Sequence, residues 1–144
     1  MSEDCVFCAI AAGTAPVSLV HEDELALAFV DLRQAVSGHV LIVPRAHVPD
    51  LYALDEATAA HLMRLAVRIA RALAADGRPD GLSLWQSNGA AAMQEVPHFH
   101  LHLQPRRHGD GLLDVYPRGL PAPLAREDLD ALAQRIAERL SAHY

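Results

Sequence analysis

The sequence predicts an α+β domain: a five-stranded antiparallel sheet, one long helix between strands, and an additional C-terminal helix. Three observations carry this. Strand-sized apolar segments follow one another through short turns, a single long stretch of helical periodicity precedes the last two strands, and the alternating strand–helix units of a doubly wound fold are absent.

Asp4 to Ala12 reads as a short helix capped by Asp4 and closed by Gly13, with Val6, Phe7 and Ile10 on one face. Val17 to His21 and Leu25 to Asp31 read as the first two strands, and Glu22-Asp23-Glu24 between them as a solvated hairpin tip. Asp31 is read as a loop cap. Ser37-Gly38 then leads into His39-Val-Leu-Ile-Val-Pro44, an unbroken aliphatic run that suits a central strand stopped by proline. Asp55 caps a helix to about Asp76, on which Leu62, Leu65, Ile69 and Leu73 recur at helical spacing while His61, Arg64, Arg68 and Arg71 face solvent. Leu82 to Ser87, with the only tryptophan, Trp85, is the fourth strand, and the stretch from His98 is the fifth. From Arg107 to Pro123 three glycines and three prolines mark an extended arm, and a last helix from Arg126 or Glu127 carries Leu129, Leu132, Ile136 and Leu140 on one stripe. Residues 1–107 are expected to form the domain, with 108–144 an arm and helix packed on it.

At 144 residues and 51% hydrophobic composition the chain can bury a proper core, and no apolar run is long enough to span a bilayer. The start Met-Ser-Glu-Asp-Cys lacks a basic region and a signal peptide, which points to the cytoplasm. A net charge of −6 argues against nucleic acid as a partner. All twelve basic side chains are arginine, so Schiff-base chemistry and a P-loop lysine are excluded.

The chemistry concentrates in His98-Phe-His100-Leu-His102-Leu. Successive strand side chains alternate in direction, so the three imidazoles share one face and Phe99, Leu101 and Leu103 enter the core. Preceded by the small-residue loop Asn88 to Ala92, the row reads as a phosphate-handling site; a catalytic metal held by two of the histidines is the second reading. Cys5 and Cys8, spaced C-x2-C at the start of the chain, suit a metal better than a redox pair, with two ligands to come from elsewhere.

Taken with Asn88, Gln94, the segment Leu27-Ala-Phe29-Val-Asp31, the run Gly38 to Pro44 and the opening Cys5-Val-Phe7-Cys8-Ala-Ile10, the row resembles the histidine triad (HIT) family over residues 5 to 107. The resemblance implies nucleotidyl transfer or hydrolysis at the α-phosphate of a purine nucleotide, in a homodimer. His100 would be the nucleophile, His102 and Gln94 would hold the non-bridging oxygens, and His39 would support the imidazole pair. Asp31 would bind the ribose hydroxyls, Asn88 the sugar or phosphate, and Phe7, Phe29 and Leu32, with Val6 and Ile10, would line the base. In the bacterial branch with a C-x2-C opening, Cys5, Cys8, His47 and His98 would form a structural zinc site, with no catalytic metal. Two positions depart from the pattern: Met93 stands where the family usually has Gly, and Glu95 where some members have Ser or Thr. A nucleotide-binding module with little catalysis is the alternative those departures suggest.

Overall fold

The computed structural model describes residues 4–142. Five strands, β1 (Leu19–Glu22), β2 (Ala26–Val30), β3 (Val40–Pro44), β4 (Gly81–Trp85) and β5 (Leu101–Arg106), form one sheet in the order β1-β2-β3-β5-β4. Every neighbouring pair is antiparallel. Three α-helices, α1 (Val6–Ala11), α2 (Glu56–Gly77) and α3 (Arg126–Ser141), and two short 3-10 turns, Leu51–Ala53 and Ala90–Ala92, complete the described chain.

The aliphatic run of β3 is buried at every position, and β2 at all but its last. A strand of that kind has both faces covered. On one face Ala26, Ala28, Val40, Ile42, Leu101 and Leu103 pack against Leu62, Leu65, Ala66 and Ile69 of α2. On the other, Leu27, Phe29, Leu41 and Val43 pack against Cys5, Phe7, Cys8 and Ile10 of the N-terminal helix. The period-2 alternation of the strands thus sorts their side chains between the two helices. The apolar stripe of α2 is core, and Met63 and Val67, 47% and 44% exposed, form its outer apolar face.

Compact units divide at residue 110, giving 1–110 and 111–144. The first runs past the end of β5 because the Asp110 carboxylate takes two hydrogen bonds from the Arg106 guanidinium, at 2.8 and 2.6 Å, and a third from the Arg107 backbone N–H. In the second, α3 carries Glu127 and Asp128 in its first turn and Arg139 in its last, the order that a helix dipole favours.

Three local expectations are corrected. The cap of α1 is Cys5, not Asp4: its extended backbone turns the sulfur to accept from the Cys8 N–H at 3.4 Å. The tip Glu22-Asp23-Glu24 is not simply solvated, and His61 does not simply face water. Both His21 and His61 reach Asp23 Oδ2 through Nε2, at 2.9 and 2.8 Å, while Asp23 Oδ1 accepts from the N–H groups of Leu25 and Ala26. Desolvation pushes the Asp23 carboxyl upward, but the hydrogen bonds from His21, Leu25, His61 and Ala26 outweigh it and hold the group well below the usual carboxylate range. The third correction concerns the fifth strand, which begins at Leu101 and not at His98. The backbone of 98–99 bonds elsewhere, His98 N–H to Val96 O and Phe99 N–H to Val48 O.

Candidate functional site

The histidine row persists although only His102 lies in the strand. Phe99, Leu101 and Leu103 join the α2 core, which turns the intervening imidazoles to the opposite face. There the Phe7 ring meets both His98 and His100 edge-on, at centroid distances of 5.7 and 5.2 Å, and His100 lies 4.8 Å from His102.

Backbone carbonyls assign the protons in the first two rings. His98 Nε2 lies 2.8 Å from Pro44 O, and a carbonyl oxygen only accepts, so Nε2 carries the proton and Nδ1 is left bare. That bare nitrogen faces the sulfurs of Cys5 and Cys8, at 3.4 and 3.6 Å. His47 Nδ1 lies 3.3 Å from Cys8 Sγ, and the ligand atoms of all four residues fall within 4.8 Å of one another. Cys5, Cys8, His47 and His98 can therefore hold a metal ion. Burial, opposed by the Pro44 carbonyl and helped by the neighbouring His47, pushes His98 below the ordinary imidazole value, which keeps it neutral and fit to ligate. The same burial raises the Cys5 thiol, a cost that a bound cation would offset.

His100 has the mirror-image arrangement. Its Nδ1 lies 2.7 Å from His98 O, so Nδ1–H donates and Nε2 keeps its lone pair. Among the described residues no buried side-chain nitrogen or oxygen lacks a hydrogen-bond partner. Nδ1 is the ring's hydrogen-bonding atom, so Nε2 opens to solvent even though the residue as a whole is only 7% exposed. The same reasoning opens His102 Nε2, because His102 Nδ1 is engaged with His39 Nε2 at 2.9 Å.

His102 is flanked on both sides. Leu41 of β3 and Trp85 of β4 are its cross-strand partners, and the Trp85 indole stacks parallel on the imidazole at 4.2 Å and 3°. His39, at the mouth of β3, is aimed by Gly38. Gly38 has φ +108, and a Cβ there would sit 2.8 Å from Pro105 Cγ. Asp31 Oδ2 lies 3.9 Å from His39 Nδ1, and Asp31 Oδ1 accepts from the Arg33 N–H at 2.7 Å, so the expected cap and a close approach to His39 coexist. Burial, with the charges of His100 and His39, brings His102 down to about 4, against the opposing pull of Asp31. His39 is lowered too, mainly by burial.

The other residues singled out from the sequence are placed as follows. Phe7 and Phe29 are buried and meet edge to face at 5.5 Å, whereas Leu32 is 98% exposed. Val6 is exposed and Ile10 buried. Asn88 Oδ1 accepts from Leu51 N–H at 2.7 Å. Gln94 accepts from Gly89 N–H and donates to Pro49 O, at 2.8 and 2.7 Å, stapling the loop of 88–94 to that of 49–53. Met93 has φ +65, the left-handed region that glycine occupies without strain. Glu95 is exposed and lines, with Asp4, Cys5 and His47, an open cavity of about 350 Å³ beside the cysteine pair. The first member of the row, His98, belongs to the cysteine cluster, the one such donor group among the described residues.

Nothing in the order of residues assigns a role to Trp85, to the Pro44 carbonyl, or to Asp23 with its two histidines. The connection from β4 to β5 is too long for a turn type to fix which residue faces His102.

The HIT domain family model matches residues 12–109. The chain is 37% identical over 141 residues to Protein hit of Bacillus subtilis, covering 97% of each. It is 30% identical over 137 residues to the adenosine 5'-monophosphoramidase hnt1 of Schizosaccharomyces pombe, covering 94% of this chain and 98% of that one. A crystal structure of a Zn-bound histidine triad family protein from Mycobacterium smegmatis superposes with a TM-score of 0.70 at 36% identity, over 98% of both chains. With its histidine row, its fold and its N-terminal cysteine pair, the chain belongs to the histidine triad (HIT) family, in the bacterial branch that opens on C-x2-C.

Proposed function

We propose that the protein hydrolyses or transfers purine-nucleotide conjugates at the α-phosphate through a nucleotidyl-histidine on His100. The observation that carries this reading is the tautomer of His100, whose Nδ1–H is spent on His98 O so that the Nε2 lone pair faces solvent. In the first step Nε2 bonds to the α-phosphorus and the bond from phosphorus to the leaving group breaks, its electron pair going to the leaving group, which takes a proton from solvent. In the second, water adds to phosphorus and releases that proton back to solvent, the P–N bond breaks and its electrons return to Nε2. His102, tied through Nδ1 to His39 Nε2 at 2.9 Å, would turn its Nε2 toward a non-bridging oxygen as charge grows.

Asp31 Oδ2 would accept from the ribose hydroxyls, with Phe7 and Phe29 as the inner wall of the base site and Leu32 as its exposed rim. Asn88 and Gln94 would serve the sugar and phosphate by shaping the loop they staple. The likeness to an adenosine 5'-monophosphoramidase supports a purine nucleoside monophosphate as the transferred group.

Zinc is the ion we assign to Cys5, Cys8, His47 and His98. A tetrahedron with zinc–sulfur and zinc–nitrogen bonds of about 2.3 and 2.0 Å places sulfur and nitrogen about 3.5 Å apart. The observed 3.3 to 3.6 Å fits that edge, and a Zn-bound relative shares the fold. Its role would be structural, tying α1 to the sheet. Two buried free thiols suit a reducing, cytoplasmic setting. A homodimer is supported by the edge position of β4, where Leu82 and Leu84 are 39% and 43% exposed, and by the outer face of α2. No helix among the described residues is long and apolar enough to cross a membrane.

The test is turnover of an adenosine phosphoramidate by His100→Ala. Loss of at least about 10³-fold in kcat with binding retained is expected; turnover near that of the parent refutes the reading. Micromolar nucleotide binding by the parent without hydrolysis of any conjugate would instead favour a binding module.

A further inference from the structure

Trp85 has no part in the reading above, yet it lies flat on one of the histidines that carry it. We propose that Trp85 is a positioning residue for His102: its indole fixes the plane of the imidazole and shields one face of it from water. This rests on the nucleotidyl-transfer reading for its consequence in catalysis, but not for the geometry. Trp85 of β4 and His102 of β5 are direct cross-strand partners, so their side chains leave the sheet on the same face. Their rings are parallel to within 3° at 4.2 Å.

An imidazole on a strand has a broad, two-fold torsion about its Cβ–Cγ bond. Two contacts remove that freedom here. His39 Nε2 ties Nδ1 at 2.9 Å, and the indole blocks rotation out of the stacking plane. Together they decide where the open Nε2 points. His39 itself tilts against the same indole at 5.5 Å and 33°, so one tryptophan braces both members of the pair.

Trp85 also acts on the proton affinity of His102, in two opposing ways. Its π-face attracts an imidazolium, and its bulk keeps water off the ring. The groups facing His102 are His39 at the mouth of β3, Asp31 after β2 and His100 before β5. Burial is the leading cause of the lowered value of His102, and the indole that covers one face of the ring is part of that burial, so removing it should raise that value.

The experiment is a titration of the His102 Cε1–H resonance by NMR, assigned by its disappearance in His102→Gln, in the parent, Trp85→Leu and Trp85→Phe. Trp85→Leu should raise the midpoint by about one pH unit or more, toward the ordinary imidazole value, and Trp85→Phe, which keeps a flat face, should stay close to the parent. The acid limb of kcat/KM should move with it. An unchanged or lowered midpoint in Trp85→Leu overturns the proposal, as would a filler role in which both variants lose stability and neither moves the titration. As the only tryptophan, Trp85 gives a second readout without substitution. Parent fluorescence should step at the His102 midpoint, and emission flat through that range refutes the stack. A parent that turns over no nucleotide conjugate defeats the catalytic reading alone, and the NMR midpoints still decide the part played by Trp85.

Discussion

A carbonyl oxygen cannot donate a proton, and at His98 and His100 that constraint sorts two chemically identical side chains into different work. His98 gives its proton to Pro44 O and turns a bare Nδ1 to the cysteines, whereas His100 gives its proton to His98 O and turns a bare Nε2 outward. The sequence supplied three imidazoles in register but not the tautomer of His98, because the deciding carbonyl of Pro44 is 54 residues away. Glycine was more legible. The Ser37-Gly38 signal before β3 marks a site where φ is +108 and a methyl group would meet Pro105 and Leu73. Gly38→Ala is therefore expected to cost about 1–3 kcal/mol in urea unfolding and to weaken catalysis by displacing His39, the next residue. An alanine variant as stable as the parent would show that this close approach does not constrain the site. The departure from the family at Met93 has a physical face as well: the residue takes the left-handed backbone that a glycine would adopt freely.

At the scale of elements, periodicity and caps located α2 well, from the Asp55 cap that accepts from Thr58 N–H to its buried stripe of Leu62, Leu65 and Ile69. The strand at His98 was misplaced because alternation reports which way side chains point and not whether the backbone has a partner; residues 98–99 alternate yet bond to loops. The short α1 has only 6 residues, too few to be stable as an isolated helix, and the zinc proposed at Cys5, Cys8, His47 and His98 would tether it. Stripping that zinc with a chelator should thus lower the Tm by roughly 5 °C or more and open the segment around residues 5–12 to proteolysis. Activity lost with no change in Tm would instead mean that the ion serves catalysis.

For the molecule as a whole, composition and order of elements were enough to read an antiparallel α+β domain, while the half-buried Asp23, His21 and His61 cluster was hidden. Its members come from β1, the following turn and α2, and nothing local in the chain couples them. The titrating groups give stability a definite pH dependence. His102 and His39 bind protons less readily folded than unfolded, so between the ordinary imidazole value of about 6.5 and about 4 the unfolded chain holds more protons. Stability must rise with pH across that window and fall on acidification. Asp23, lowered in the fold, adds a loss of the same sign further into acid. The free energy of urea unfolding should be smaller at pH 5 than at pH 7; an equal or larger value at pH 5 would mean that these imidazoles are not held neutral by burial.

The most direct measurement for the central claim is a single-turnover reaction of the parent with an adenosine phosphoramidate, quenched in alkali, where a nucleotidyl-histidine survives, and mapped by peptide mass spectrometry. The account predicts a nucleotidyl adduct on His100, formed and consumed at rates consistent with turnover and absent from His100→Ala. Turnover without any adduct, or an adduct on another residue, would contradict it.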